Sequence, residues 1–391
     1  YGDGEMFVGS DAIALAPMTN RICYLEEGDY AVITRFGAEI FGGDGALVNR
    51  EIRVIRGDQN RIDKDGYTHF MEKEIYQQPS VLGAALSHYI PDGATIDLAG
   101  AEIDFTKIDR LTLVACGTAY FACLTAKYWF EKLARIPVEI DVASEFRYRE
   151  PPVPPRTMAL FVSQSGETAD TLAALRYCRH KADHIWSVTN VAESSIARES
   201  DVSLPIHAGV EIGVASTKAF TCQLTVLLMM ALKAAEDRGE LGADQRAELI
   251  SQIRNLPSLI NLTLDQSDSF RNVAGALAEA RDILFLARGI MYPLAHEGAL
   301  KLKEISYIHA EAYAAGELKH GPIALVDDKV PVVVMAPRDA LFDKTISNVV
   351  VEDLDSNIIM SNLVPNKARS SLRSQIIGSA VGCLDKQNAN D

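Results

Sequence analysis

The sequence lacks a surplus of basic residues. Lys and Arg together number 38 against 53 Asp and Glu, so the 391-residue chain has a formal net charge of −15. Nucleic acids and anionic membranes are bound by clustered basic side chains, and this balance therefore argues against both as partners. A small anionic ligand remains compatible with it, because one site can be locally positive in an acidic protein.

Paired cysteines and long apolar runs are also missing. The six cysteines form no C-x-x-C pair, and a chain of this length needs no disulfides to hold a core, which indicates a reducing, cytoplasmic setting. The longest apolar stretch, around residues 224–232, is too short to span a bilayer. No signal peptide opens the chain. Because position 1 is Tyr and not Met, we expect a fragment or a processed product.

What the sequence does contain is an α/β pattern that occurs twice. An apolar strand at Leu111–Ala115 precedes a Cys-Gly-Thr turn and a long helix. Another apolar strand, at Ile283–Ala287, precedes an Arg-Gly turn and a helix from about Pro293. A later strand follows in each copy, at residues 158–162 and 330–335. The repetition predicts two related doubly wound α/β domains with parallel sheets, the second incomplete.

The two ends of the chain depart from this pattern. Residues 1–66 read as short β segments and turns, with strands expected at Phe7–Val8 and Ala31–Thr34. Residues 349–391 show no sustained apolar period and end in a polar run. We expect this tail to be poorly structured or foreign to the fold, which would leave the second α/β domain short of its later strands.

The segment with the most distinctive chemistry runs from Ser163 to Thr171 and reads S-Q-S-G-E-T-A-D-T. It follows an apolar strand and precedes a helix, and a helix N-terminus offers free backbone N–H groups to anions. Ser163, Ser165 and Thr168 add hydroxyls, and Gly166 permits a close backbone approach. An ordinary Ser/Thr helix cap is the simpler alternative, but a cap requires one hydroxyl rather than three. An anion site is therefore the favoured interpretation.

Two other polar loops carry weaker signals. In Cys116-Gly117-Thr118, the glycine can serve the turn and the threonine can cap the following helix, so a structural role suffices. The loop E-I-G-V-A-S-T-K-A-F, residues 211–220, leads into an apolar helix. Its Ser216 and Thr217 could cap that helix or contact a ligand at the strand-end crevice of the sheet, and the spacing does not decide between the two roles.

The helix from Pro293 places Glu297, Lys301 and Glu304 on one face, since steps of four and three residues align on a helix. Charges bordering an apolar stripe can lie in a half-buried cleft, where pKa values shift. A surface salt bridge between Glu297 and Lys301 is the simpler alternative. His320, in a polar loop closed by Gly-Pro, is either solvated or an acid/base that works near neutral pH.

Taken together and in this order, these segments resemble the isomerase half of the glutamine–fructose-6-phosphate aminotransferase family. The resemblance rests on A-C-G-T, A-S-E-F-R-Y-R, S-Q-S-G-E-T-A-D-T, E-I-G-V-A-S-T-K-A-F and the stretch 297–322, and it extends to about Asn348. It implies the end of a glutaminase domain plus linker at residues 1–66, a first SIS (sugar isomerase) domain at 67–265, a partial second one at 266–348, and an unmatched tail at 349–391.

The resemblance also implies an activity and the residues that would perform it. The family moves ammonia from glutamine to fructose-6-phosphate, isomerises the product to glucosamine-6-phosphate, and uses no metal or organic cofactor; its members form dimers or larger assemblies, here a homodimer. By resemblance, the phosphate would be bound by Ser163, Gln164, Ser165 and Thr168, and the sugar would be lined by Gly117, Thr118, Val214 and Ser216. Glu304 would be the base that moves a proton between C1 and C2, Lys301 would assist it, and His320 would open the ring from the partner subunit.

Three departures from the family pattern qualify this expectation. Ala119 stands where the family often has Ser, which puts one sugar contact in doubt. The N-terminal cysteine that attacks glutamine is absent, so glutamine would be used only through a missing N-terminal domain. No segment around Lys367 or Lys386 resembles the loop whose lysine forms a Schiff base with the sugar. A non-catalytic sugar-phosphate-binding module is therefore the alternative, although Glu304 and His320 favour the enzyme.

Overall fold

The computed structural model describes residues 1–9, 15, 18–26, 28–54, 63–327, 329–349 and 358–361. The chain forms two compact units, residues 1–68 and 69–391. The first contains two small antiparallel sheets, with β1 pairing β5 and β2, β3 and β4 forming a meander. The strands are β1 (Arg21–Cys23), β2 (Tyr30–Thr34), β3 (Gly37–Phe41), β4 (Leu47–Val48) and β5 (Ile52–Val54). The strand predicted at 31–34 is confirmed, but Phe7–Val8 is not part of a strand.

The second unit begins with a five-stranded parallel sheet whose spatial order is β10-β9-β8-β6-β7. Its central strand β8 is buried at every position, as expected when helices cover both faces of a parallel sheet. The strands are β6 (Arg110–Ala115), β7 (Val138–Val142), β8 (Thr157–Ser163), β9 (His184–Thr189) and β10 (Val202–Pro205). The two strands predicted here, at 111–115 and 158–162, are confirmed.

Six helices accompany this sheet: α1 (Phe70–Tyr89), α2 (Gly117–Trp129), α3 (Ala143–Arg149), α4 (Ala169–Cys178), α5 (Ser195–Glu199) and α6 (Lys218–Asp237). The long helix predicted after β6 is confirmed as α2. Its α-helical part ends at Trp129, and a π-helical turn follows directly and ends at Ala134. Helix α6 is long and apolar enough to cross a membrane, yet 83% of its most apolar stretch is buried inside the protein. It therefore packs as a core helix, against α1 and α2 among others.

A second parallel sheet, ordered β12-β11-β13-β14, follows three connecting helices. The connecting helices are α7 (Ala243–Ile253), α8 (Leu256–Leu264) and α9 (Ser267–Leu277). The remaining elements are β11 (Asp282–Ala287), α10 (Met291–Ser306), β12 (His309–Ala314), the 3-10 turns Ala315–His320 and Pro322–Leu325, β13 (Val332–Met335), α11 (Phe342–Val349) and β14 (Ile358–Ser361). The strands predicted at 283–287 and 330–335 are confirmed, and α10 begins two residues before Pro293.

The predicted fold class is confirmed, because the second unit is an α/β structure with two parallel sheets and the first is rich in strands. One expectation about the tail is wrong. Strand β14 lies within residues 349–391, which the sequence pattern had excluded from the fold, and it pairs in parallel with β13 through four residues. The apolar run of β14 is only three residues long, residues 358–360, which is too short to indicate a strand. The rest of that tail, apart from Val349, lies outside the described residues, and the division at residue 265 stays a prediction.

Candidate active site

The site lies where the strand order of the first sheet reverses. The chain runs from β6 to β7 on one side and then crosses from β7 to β8 on the other side of β6, so the loops that follow β6 and β8 diverge and open a crevice at the carboxyl ends of the strands. A cavity of about 200 Å³ occupies this crevice. Six predicted site residues line it together: Thr118, Ser163, Gln164, Ser165, Thr168 and Ser216. They come from three separate loops, as the predicted strand-end crevice requires.

The loop between β8 and α4, Ser163–Thr168, is built from its own hydroxyls, and we call it the cradle loop. The Ser163 hydroxyl accepts a hydrogen bond from the Gly166 N–H at 3.0 Å and lies 2.9 Å from the Thr168 hydroxyl. The Ser165 hydroxyl accepts from the Glu167 N–H at 3.1 Å. These bonds fold the loop tightly around the start of α4. Neutral hydroxyls, rather than a flexible charged side chain, thus line the cavity at this loop.

The start of α4 favours an anion site over a simple cap. Thr168 is the residue before the helix, but its side chain makes no capping hydrogen bond and contacts Ser163 instead. The first intrahelical backbone bond runs from the Leu172 N–H to the Thr168 carbonyl. The N–H groups of residues 169–171 therefore point out of the helix, at the positive end of its dipole. The hydroxyl that a cap would have used remains at the cavity.

Gly166 fixes the path of the cradle loop. Its φ is +67°, and a Cβ atom there would lie 1.9 Å from the Ser194 hydroxyl oxygen. The Gly166 carbonyl also accepts from the Ile196 N–H at 3.0 Å. The neighbouring Glu167 carboxylate accepts from the Ser195 N–H at 2.8 Å. The start of α5 therefore supports the cradle loop from behind, and only glycine fits at the point of contact.

Two carboxylates, the buried Glu74 and the half-buried Glu211, hold the loop before α6. Glu211 accepts hydrogen bonds from the Ser216 hydroxyl at 2.9 Å and from the N–H groups of Thr217 (2.9 Å) and Ala219 (3.1 Å). Glu74, from α1, accepts from the N–H groups of residues 212 and 213 at 2.5 and 3.1 Å. Glu211 thus caps α6, so that role does not fall to Ser216, which lines the cavity. Burial raises the pKa of Glu211 above its ordinary value.

The charged face of α10 reaches the cavity wall through one hydrogen bond. The Thr118 hydroxyl donates to Glu297 Oε1 at 3.0 Å, and Lys301 lies 3.4 Å from Glu297 and 2.5 Å from Glu304. Only 7% of the Glu297 side chain and 18% of that of Lys301 are exposed. The pair of Glu297 and Lys301 is therefore largely buried, and it is not the simple surface salt bridge that the sequence left open. Burial raises the pKa of Glu297 to about 7, against the opposing effects of Lys301 and Thr118.

The remaining predicted site residues lie away from the cavity lining. Gly117 opens α2 with a φ of +55°, and Val214 is 97% exposed. Lys301 and Glu304 connect to the lining only through Glu297 and Thr118. His320 is exposed at the end of a 3-10 turn. Within the described part of one chain, the structure thus joins the cradle loop to Thr118 and Ser216 but brings neither Val214 nor His320 to them.

Sequence reasoning missed three residues that matter for this site. Gln223 of α6 lines the cavity, while Glu74 and Glu211 hold the loop that bears Ser216. A single amide inside an otherwise apolar helix was the available signal for Gln223. The two carboxylates carried no signal of their own, because an acidic residue near a helix start usually lies on the surface. Among the described residues, no group of three or more His, Cys, Asp or Glu could hold a metal ion.

Comparisons with known proteins identify the family of this chain. The SIS domain model matches residues 104–233 and 276–366, which together make up more than half of the chain. The chain belongs to the SIS domain family. The second matched segment includes strand β14, which agrees with its place in the second sheet of this SIS-domain chain.

Two curated relatives are both named glutamine–fructose-6-phosphate aminotransferase (isomerizing). The SIS-domain chain is 54% identical over 351 residues to the one from Rhizobium meliloti (strain 1021) and 56% identical over 351 residues to the one from Agrobacterium fabrum. Each match covers 89% of this chain and 58% of the relative, so the chain spans little more than half the length of these curated relatives. A solved structure, the C-terminal domain of glucosamine-fructose-6-phosphate aminotransferase from Francisella tularensis, is 39% identical with a TM-score of 0.76, covering 82% of this chain and 94% of that one.

Replacing Gly166 with alanine should destabilise the SIS fold at the cradle loop. We expect Gly166→Ala to lower the free energy of unfolding by about 2–5 kcal/mol, because it adds a collision with Ser194 to the strain of a positive φ. Gly100→Ala is the matched control, since Gly100 has a φ of +72° but open space around it. Urea unfolding measures both, and an equal loss in the two variants would contradict the close contact at Ser194.

The buried Glu297 should make stability fall as pH rises. Its pKa in the folded protein, about 7, exceeds the ordinary 4.5, so between these values the folded state binds more protons and loses stability with rising pH. We expect Glu297→Gln to remove about 3 kcal/mol of this pH dependence. The free energy of unfolding at pH 5 and pH 7.5 tests this.

The matched control for this pH dependence is Glu304→Gln. It removes the other carboxylate partner of Lys301, but from a side chain that is 32% exposed. Because Glu304 makes only the smallest contribution to the raised pKa of Glu297, this variant should keep most of the wild-type pH dependence. Parallel pH profiles for wild type and Glu297→Gln would show that Glu297 is ionised throughout the range.

Proposed function

We propose that this chain carries the sugar-phosphate isomerase part of a glutamine–fructose-6-phosphate aminotransferase, which converts fructose-6-phosphate to glucosamine-6-phosphate with glutamine as the nitrogen source. The cradle loop is the observation that carries the proposal, because it places three hydroxyls and the start of α4 at a cavity at the strand ends. The relatives that carry this name, and the Francisella tularensis structure, support it.

In this proposal the substrate phosphate binds to Ser163, Gln164, Ser165 and Thr168. No Lys or Arg lies between Ser163 and Ala174, and all ten residues lining the cavity are uncharged. The phosphate would therefore be bound by hydroxyl donors and backbone N–H groups at a helix start, which suits an anion without requiring an ion pair.

The sugar would extend from the phosphate towards Thr118 and Ser216, with Gly117 and Val214 at its edge. Glu304 would be the base that moves the proton between C1 and C2, because an aldose–ketose shift needs a carboxylate near a carbon acid. Lys301, 2.5 Å from Glu304 and 3.4 Å from Glu297, would assist by fixing the position of that carboxylate. His320 would open the sugar ring.

The partners of the whole protein belong to the same proposal. We propose a homodimer, in which His320 of one protomer would serve the site of the other, since it is exposed and away from its own cavity. Glutamine would be used through a domain that ends in residues 1–66. The proposed ligands are small, so neither nucleic acid nor membrane is required. A cytoplasmic location fits the substrates and the five free cysteines of the described residues. The proposed chemistry needs no metal or organic cofactor.

A non-catalytic sugar-phosphate-binding module is the second candidate. The cradle loop would serve it equally well, and Val214 and His320 lie outside the cavity lining of one chain. The charged group Glu297, Lys301 and Glu304 distinguishes the two functions, because a module that only binds phosphate has no need for buried charges on α10. The enzyme is the better supported of the two.

Removing two cradle hydroxyls should weaken ligand binding. We expect Ser165→Ala combined with Thr168→Ala to raise the Kd for glucosamine-6-phosphate about 10- to 100-fold, because hydrogen bonds to a charged phosphate are lost. Calorimetric titration of both proteins measures this. Ser80→Ala, an exposed change on α1, should leave the Kd unchanged. Equal affinities in the double variant and wild type would exclude the cradle loop as the phosphate site.

Turnover separates the two candidate functions. We expect Glu304→Gln to slow isomerisation of fructose-6-phosphate by about 100-fold or more, because a general base contributes on that scale, with little change in Kd. Glu240→Gln, at an exposed position, is the control. An unchanged rate would remove Glu304 from the mechanism. A wild-type chain that binds the sugar phosphate but does not isomerise it would favour the non-catalytic module.

A further inference from the structure

Gln223 is a polar residue in the largely buried helix α6. It is 2% exposed, and its neighbours Cys222 and Leu224 are 0% and 4% exposed. It nevertheless lines the cavity together with Thr118 and Ser216. The amide therefore stands at the boundary between the core and the candidate active site.

The amide oxygen of Gln223 has no protein partner. Oε1 is fully buried and accepts no hydrogen bond from any described residue. A buried amide oxygen without a donor costs free energy, and such groups are rare in folded proteins. The surrounding helix would pack as well with an apolar side chain of the same length. Neither α6 nor its packing thus accounts for an amide at this position.

A second buried oxygen near the cavity wall also lacks a hydrogen-bond partner among the described residues. Glu297 Oε2 is buried without a partner among the described residues, although Oε1 of the same carboxylate accepts from Thr118. The cavity therefore has hydroxyl donors along the cradle loop and the Gln223 amide on α6, while the Glu297 carboxylate of α10 lies behind Thr118. A ligand that complements both must be an acceptor at one end and a donor at the other.

We infer that Gln223 recognises the sugar end of a phosphorylated sugar, its amide oxygen accepting a hydrogen bond from a hydroxyl or amino group of the ligand. A phosphate dianion has only acceptor oxygens and cannot satisfy Gln223 Oε1, whereas a sugar hydroxyl or ammonium group can donate to it. The inference rests on the proposed function and deepens it, since it assigns a specificity-determining role to a residue beyond the cradle loop.

Gln223→Met tests the inference, because methionine keeps the length of the side chain but has no amide oxygen. We expect the Kd for glucosamine-6-phosphate to rise about 10-fold, as for the loss of one hydrogen bond. The Kd for inorganic phosphate, which reaches only the cradle loop, should stay the same. The urea midpoint should stay the same or rise, because an unsatisfied buried group has been removed.

Gln252→Met is the matched control. Gln252 also has a buried Oε1 without a partner, but it belongs to α7 and does not line the cavity. It should leave both Kd values unchanged. Calorimetry with the two ligands, and urea unfolding of the three proteins, provide the data.

The outcomes are distinct. If wild type does not bind glucosamine-6-phosphate, the proposed function fails before the inference is tested. If wild type binds it and Gln223→Met binds it equally well, the inference fails while the proposed function stands. Weaker binding of both ligands together with a lower urea midpoint would make Gln223 a structural residue and would also overturn the inference.

Discussion

The candidate site depends on one topological constraint, the reversal of strand order between β6 and β8. Parallel strands send all their carboxyl ends to one edge, and the reversal separates the two loops that leave this edge. Every residue of the cavity lining takes its place from that separation: Thr118 follows β6, the cradle loop follows β8, and α6 closes the third side. A different strand order would distribute the same side chains over the surface.

The loops around this crevice are fixed by buried hydrogen bonds rather than by apolar packing. Glu74 and Glu211 together accept hydrogen bonds from five groups of the loop that bears Ser216 and of the start of α6. The hydroxyls of the cradle loop satisfy its own backbone in the same way. Buried polar networks of this kind fix one loop conformation, because any rearrangement leaves a buried carboxylate or N–H group unpaired.

Much of the fold and part of the site could be predicted from the sequence. Strands β6, β8, β11 and β13 have largely apolar runs, and the cradle loop carries a rare combination of hydroxyls and glycine, so these were recognisable. Strand β14 was missed because its apolar run is only three residues long. Whether Ser216 faced the cavity could not be decided, because the answer depends on Glu211 capping α6 in its place. Gln223 and Glu74 become important only through contacts between residues distant in the sequence.

The absence of charge from the cavity lining has a consequence for the conditions under which the site works. Salt weakens attraction between full charges over a distance set by ionic strength, whereas short, directed hydrogen bonds from hydroxyls and N–H groups are hardly screened. In the proposed phosphate site, the cradle loop would thus select an anion by the directions of its oxygens more than by its charge. A protein of net charge −15 can in this way bind an anion over a wide range of ionic strength without carrying a basic patch.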